Sequence, residues 1–100
     1  HVDTVVQIKD IQHFENSAIF NISVDQGMMK YIVEKGYVGL DGLSLTVAKI
    51  NNKDFDIALI PHTLKITNFG TKNISDSLNL EIDIVAKYVE NFSKPHTKNV

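Results

Sequence analysis

The sequence predicts an all-β domain, a small antiparallel barrel of six strands with two short helices. Three observations carry this expectation. Alternating apolar and polar residues recur in short runs roughly ten residues apart, turn dipeptides and polar clusters separate the runs, and only two brief stretches space their apolar residues as a helix does.

From Asp3 to Asp25 the apolar residues stand between polar ones, with Phe20, Ile22 and Val24 in strict alternation. This reads as two strands joined by the polar stretch His13 to Ser17. Asp25 is a candidate helix cap, and Met28 and Met29 with Ile32 and Val33 four residues on form two apolar pairs on one helical face, ended by Lys35-Gly36. Tyr37 to Leu40 is a short apolar strand, and Asp41-Gly42 is a dipeptide suited to a tight reversal. Leu43, Leu45 and Val47 then alternate with Ser44, Thr46 and Ala48. After the Asn51-Asn52-Lys53-Asp54 turn a strand covers Phe55 to Ile60 and closes at Pro61, which has no N–H for a ladder. Ile66 to Phe69 reads as another short extended piece stopped by Gly70. Leu78, Leu80, Ile82 and Ile84 alternate with Asn79, Glu81 and Asp83, the clearest half-buried strand in the chain. Val85, Tyr88, Val89 and Phe92 fall at helical spacing before Pro95. The domain is expected over residues 1–92, with 93–100 as a loose polar tail.

With 100 residues and 43% hydrophobic content the chain suffices for one domain and no more. The absence of Cys excludes a disulfide scaffold and any thiolate-ligated metal. Net charge is −2, the pI is near 6.0, and all ten basic residues are Lys. That balance argues against nucleic acid as the main partner, since groove readers need a basic face and usually Arg forks. There is no long apolar run and no basic-then-apolar start, so a cytoplasmic location is the default expectation. The opening His1-Val2-Asp3 without Met points to a processed product or a piece of something longer.

If Leu43, Leu45 and Val47 face the core, pleating puts Ser44 and Thr46 side by side on the opposite face. Two hydroxyls on a rigid strand suit the edge of a flat heterocycle, although the same pattern also describes a plain solvent face. At the exit of the Phe55 to Ile60 strand, Pro61, His62, Thr63 and Lys65 gather polar groups able to clamp a polyol or a ring carbonyl, or simply to form a turn. Asp83 sits where the last strand gives way to helix, as an N-cap or as an acceptor for a ligand hydroxyl. His1, His13, His62 and His96 show no ligand spacing, so no metal site is expected, and neither a phosphate loop nor a nucleophile elbow occurs.

Taken together, His1-Val2-Asp3, Met29 to Gly36, Asp41-Gly42-Leu43-Ser44-Leu45-Thr46-Val47, Ile60-Pro61-His62-Thr63-Leu64 and Asn79-Leu80-Glu81-Ile82-Asp83 resemble riboflavin synthase of the alpha-chain type. The match runs in order from His1 to about Phe92. It is closest to the second of that family's two tandem lumazine-binding domains, because the first usually carries Cys where Ser44 stands. The chain has only about half the family's length.

The resemblance implies a six-stranded Greek-key barrel and a dismutation of two 6,7-dimethyl-8-ribityllumazine molecules. One donates a four-carbon unit to the other, giving riboflavin and 5-amino-6-ribitylamino-2,4-pyrimidinedione, without a metal or redox cofactor. It further implies a homotrimer in which each domain holds one lumazine, so that this chain supplies a half-site. Carried over by motif, Ser44, Leu45 and Thr46 meet the heterocycle. Ile60, Pro61, His62, Thr63, Leu64 and Lys65 hold its edge and ribityl chain. His1, Val2 and Lys35 complete the pocket, with Asp83 close by. Removing an acidic methyl proton and activating the partner ring need a base and a nucleophile. Ser44 and His1 are the candidates, with Thr46 and Asp41 assisting. The competing expectations are a non-catalytic lumazine or flavin carrier of the same fold and a purely structural barrel.

Overall fold

A computed structural model describes residues 2–93. Six strands form a closed antiparallel barrel: β1 (Thr4–His13), β2 (Ala18–Ser23), β3 (Tyr37–Leu40), β4 (Leu43–Ile50), β5 (Asp54–Leu59) and β6 (Ser77–Ile82). Around the barrel the order is β1-β2-β5-β4-β3-β6. The hairpin-connected β3, β4 and β5 are joined by β6, which returns to lie beside β3, and this is a Greek key.

Two strands change partner partway along their length. β1 pairs with β6 over Thr4 to Gln7 and with β2 onward from Gln7, with a register shift between Ile8 and Asp10. β4 pairs with β3 over Leu43 to Thr46 and with β5 from Val47, with a shift between Val47 and Lys49. An extra residue at each handover sharpens the local bend, and a small barrel needs such corners to close.

The interior follows the alternation in the sequence. Val6 and Ile8, Phe20 and Ile22, Val38 and Leu40, Phe55 and Ile57, and Leu78 and Leu80 are all buried. Val24, Ile32 and Phe69, all outside the strands, complete this core, and Phe69 meets Phe20 edge to face with ring centroids 5.7 Å apart.

The strand connections differ from expectation in two places. The first helix, α1 (Gln26–Met29), is a single turn. Asp25 caps it through its carbonyl, which accepts from the Met28 N–H, and its side chain makes no capping bond. Tyr31 and Ile32 then donate to Met28 and Met29, three residues back, so the helix tightens and unwinds. Ile32 is buried but Val33 is 55% exposed, and the expected paired face does not form. The chain is pulled away because Lys35, at φ 71°, donates to the Val47 carbonyl and the Val47 N–H donates to Gly36. Two extra rungs on β4 compete successfully with two more helical turns.

The second departure follows β5, which ends at Leu59. Pro61 stands at the first position of α2 (Pro61–Ile66), where its missing N–H costs nothing and its fixed φ favours helix. A 3-10 turn (Asn68–Thr71) replaces the extended piece expected over Ile66 to Phe69. Thr67 breaks between the two, its hydroxyl accepting from the Phe69 N–H, and this turn delivers Phe69 to the core. Ile84 likewise leaves the strand pattern and opens α3 (Ile84–Ser93). The tail expected from residue 93 onward lies outside the described residues after Ser93.

Candidate functional site

The β3–β4 hairpin turns in two residues. Asp41 (φ 51°) and Gly42 (φ 82°) both adopt the left-handed conformation, as a primed two-residue turn requires. This sets the register that matters: Tyr37 opposite Thr46, and Gly39 opposite Ser44. On its other side β3 places Gly39 opposite Glu81 and Val38 opposite Ile82. The outer face thus carries a row Ser44–Gly39–Glu81 across three strands. A second row of Thr46 and Tyr37 continues toward Asp83, the residue after Ile82.

A groove of about 570 Å³ lies over this face. Its floor includes Gly39, where a Cβ would come within 3.1 Å of the Glu81 Cβ, so only glycine keeps the backbone bare without displacing that side chain. Ser44 and Gly42 line it from the hairpin, Glu81 and Asp83 from the end of β6, and Ile84 and Lys87 from the start of α3.

Asp3 anchors the α3 side. Its Oδ2 accepts from the Ile82 N–H at 2.8 Å and its Oδ1 from Lys87 Nζ at 2.6 Å. Partial burial pushes the Asp3 carboxyl up, but the Ile82 hydrogen bond and the Lys87 ammonium outweigh it and hold the group below the ordinary Asp value. Asp83 caps α3, its Oδ1 accepting from the Val85 N–H at 3.0 Å, and still lines the groove.

Ser44 and Thr46 are exposed on the outer face, Ser44 in the groove and Thr46 beside Tyr37. Leu45 is half-buried and packs against the core, on the face opposite Ser44 and Thr46. Since Val47 pairs with Ile57, Thr46 and Ser44 run back along β4 as Ala58 and Ile60 run forward along β5. Ile60 is 59% exposed, Pro61, His62 and Lys65 are exposed, Thr63 is half-buried, and Leu64 packs on the core. These residues flank β4 on the side away from the groove and do not line it. Lys35 is exposed next to Val47, and Val2 is exposed at the start of the chain beside β6. His1 lies outside the described residues.

Asp41 stands apart from the groove, with both carboxylate oxygens engaged. Oδ1 accepts from the Asn79 N–H at 2.7 Å and Oδ2 lies 3.6 Å from Lys72 Nζ, so the side chain fastens the hairpin to β6. Sequence reasoning missed Tyr37, Gly39, Glu81, Asp3 and Lys87. The pleat argument that turned Ser44 and Thr46 outward applies equally to Tyr37-Val38-Gly39-Leu40 and would have found the first two. Among the described residues no group of three or more His, Asp or Glu side chains is arranged to hold a metal.

Comparison with known proteins shows the family and the fold. The family model described as the lumazine binding domain matches residues 1–83. Riboflavin synthase of Actinobacillus pleuropneumoniae is 44% identical over 92 residues, covering 92% of this chain and 43% of that protein. Riboflavin synthase of Bacillus subtilis is 33% identical over 99 residues, covering 99% of this chain and 46% of that protein. The chain therefore spans less than half the length of these curated relatives. Among solved structures, LumP complexed with 6,7-dimethyl-8-(1'-D-ribityl) lumazine superposes with a TM-score of 0.79 at 19% identity, over 83% of this chain and 47% of that one. At that identity the likeness speaks for the fold alone.

Proposed function

The chain belongs to the lumazine binding domain family, and from that premise we propose that it supplies one substrate half-site of a riboflavin synthase. The observation that carries this reading is the outward pair Ser44 and Thr46 on β4. It has the groove on one flank and the Ile60 to Lys65 segment on the other. A flat heterocycle lying alongside β4 meets hydroxyl donors and acceptors along one edge, and its ribityl chain extends past β4 toward the polar start of α2.

In the reaction proposed, two 6,7-dimethyl-8-ribityllumazine molecules dismutate. A four-carbon unit passes from one to the other, and the two products, riboflavin and 5-amino-6-ribitylamino-2,4-pyrimidinedione, together contain every atom of the two substrates. No oxidant is consumed. A base takes an acidic methyl proton from one lumazine while a nucleophile activates the other. In this reading Ser44 touches the ring, and Ser44 and His1 are the candidates for the nucleophile and the base. The Asn79 and Lys72 contacts of Asp41 favour a supporting role in holding the hairpin over one of proton transfer.

Each site needs two lumazines and this chain offers one half-site, so the working enzyme joins it to a second domain of the same kind. The exposed apolar residues Ile84, Val85, Tyr88 and Phe92 of α3 support self-association, for which a homotrimer is our reading. A cytoplasmic location is part of our reading of the family. Among the described residues no helix is long and apolar enough to cross a membrane.

The test is a fluorescence titration of the chain with 6,7-dimethyl-8-ribityllumazine and riboflavin, followed by an assay for riboflavin formation. Binding without turnover is the result expected of a half-site, and absence of binding overturns the reading. In enzyme reconstituted with the complementary domain, Ser44→Ala should lower turnover by about 10²-fold or more, with a much smaller loss of lumazine affinity. If instead affinity collapses and turnover per bound ligand is normal, Ser44 is a contact only and its catalytic assignment fails.

A further inference from the structure

We propose that Tyr37 is the platform on which the flat ring of the ligand stacks, with Gly39 as the bare floor beside it. This inference rests on the half-site reading above and adds to it a residue that sets ring recognition.

β3 has two outward positions in the patch, and they are unlike. One carries an aromatic ring, 59% exposed, and the other carries no side chain. The neighbouring strands supply polar groups in matching rows. On β4, Thr46 stands opposite Tyr37 and Ser44 opposite Gly39. On the β6 side, Glu81 stands opposite Gly39, and Asp83 follows Ile82, the partner of Val38. The middle column is therefore an apolar ring next to open backbone, with hydroxyls on one side and carboxylates on the other.

Adjacent strands are about 4.8 Å apart, so the hydroxyl and carboxylate columns are separated by about 10 Å. That width suits a fused two-ring heterocycle lying on the tyrosine face, with its donors and acceptors reaching polar groups at both edges. The crowding at Gly39 points the same way. A Cβ there would press within 3.1 Å of the Glu81 Cβ and 3.3 Å of its Oε1, and would also fill the space beside the ring. Strand propensity and the pairing with Thr46 account for a tyrosine at this position, but a plain solvent face has no use for the bare glycine beside it, which weakens the strand.

The experiment titrates wild-type chain, Tyr37→Phe and Tyr37→Leu with riboflavin and with 6,7-dimethyl-8-ribityllumazine, following ligand fluorescence, with thermal midpoints as the folding control. Tyr37→Phe should bind within about twofold of wild type. Tyr37→Leu should weaken both ligands by about tenfold or more, the size of a lost base-on-aromatic contact, and its bound riboflavin should be brighter because the quenching ring is gone. Equal affinity and equal quenching in Tyr37→Leu, with wild type binding normally, overturns the platform and leaves the half-site reading in place. Failure of wild type to bind either ligand overturns both.

Discussion

Ser44 and Thr46 are exposed for no reason beyond the pleat, since Leu43, Leu45 and Val47 claim the inner face and the period of a strand is two. Asp54 shows the opposite case, a carboxylate that strand alternation alone does not explain. It is the one buried polar residue among those described. Asn21 Nδ2 and Asn51 Nδ2 donate to Oδ1 at 3.0 and 2.7 Å, and Lys9 Nζ lies 3.1 Å from Oδ2. The Asn21 and Asn51 amides, with help from the Lys9 charge, hold its carboxyl below the ordinary Asp value against the opposing effect of burial. A depressed folded-state value means that the stabilisation is complete above about pH 5 and drains away as pH falls past the ordinary 3.9 toward the folded value. Asp54→Asn should therefore lower stability at pH 7 by about 1–3 kcal/mol and flatten the acid limb. Urea midpoints at pH 7 and pH 3.5 check this, and an unchanged pH slope in the variant would refute it. Ser44 was legible because its neighbours alternate; Asp54 was not, because its three partners come from β1, β2 and the β4–β5 turn.

At the scale of elements, the β3–β4 hairpin is the most local structure in the chain and the most readable from sequence. Asp41-Gly42 specified both the turn and the register that aligns Tyr37 with Thr46. A Cβ at Gly42 would meet nothing within 4 Å, so the cost of Gly42→Ala is conformational alone. It should be about 1 kcal/mol, and Gly42→Asn should recover much of it because Asn tolerates φ above zero. Chemical denaturation of the two variants measures the difference; equal losses would show that the turn does not need the left-handed conformation. The helices were read less well. Met28, Met29, Ile32 and Val33 have helical spacing, yet α1 stops after one turn because the Lys35 and Gly36 bonds to Val47 take the chain elsewhere. In α2 the same Pro61 that was read as ending a strand also begins a helix, and periodicity over six residues does not distinguish the two.

At the scale of the whole molecule, the barrel closes over a core in which every strand contributes buried apolar residues, and Phe69 adds a residue from outside the sheet. Phe69→Ala removes a fully buried ring and its edge-to-face partner contact with Phe20, which should cost about 3–5 kcal/mol. Domains of this size have only about 5–15 kcal/mol in total, so the variant should be near unfolding at 37 °C by calorimetry. A loss below about 1 kcal/mol would mean that the 3-10 turn is not part of the cooperative unit. Apolar alternation and turn chemistry depend on residues within a few positions of each other. The sequence by itself therefore determined the strands, the hairpin, the outward hydroxyl pair and the barrel class. Closure joins β1 to β6 and seats β6 beside β3, across tens of residues. Only that tertiary pairing decided that Gly39, Glu81 and Asp83 share a groove with Ser44, that Asp41 is spent on Asn79 and Lys72, and that Asp3 holds the start of α3 through Lys87. A two-residue period records which face a side chain takes but not which strand lies next to it.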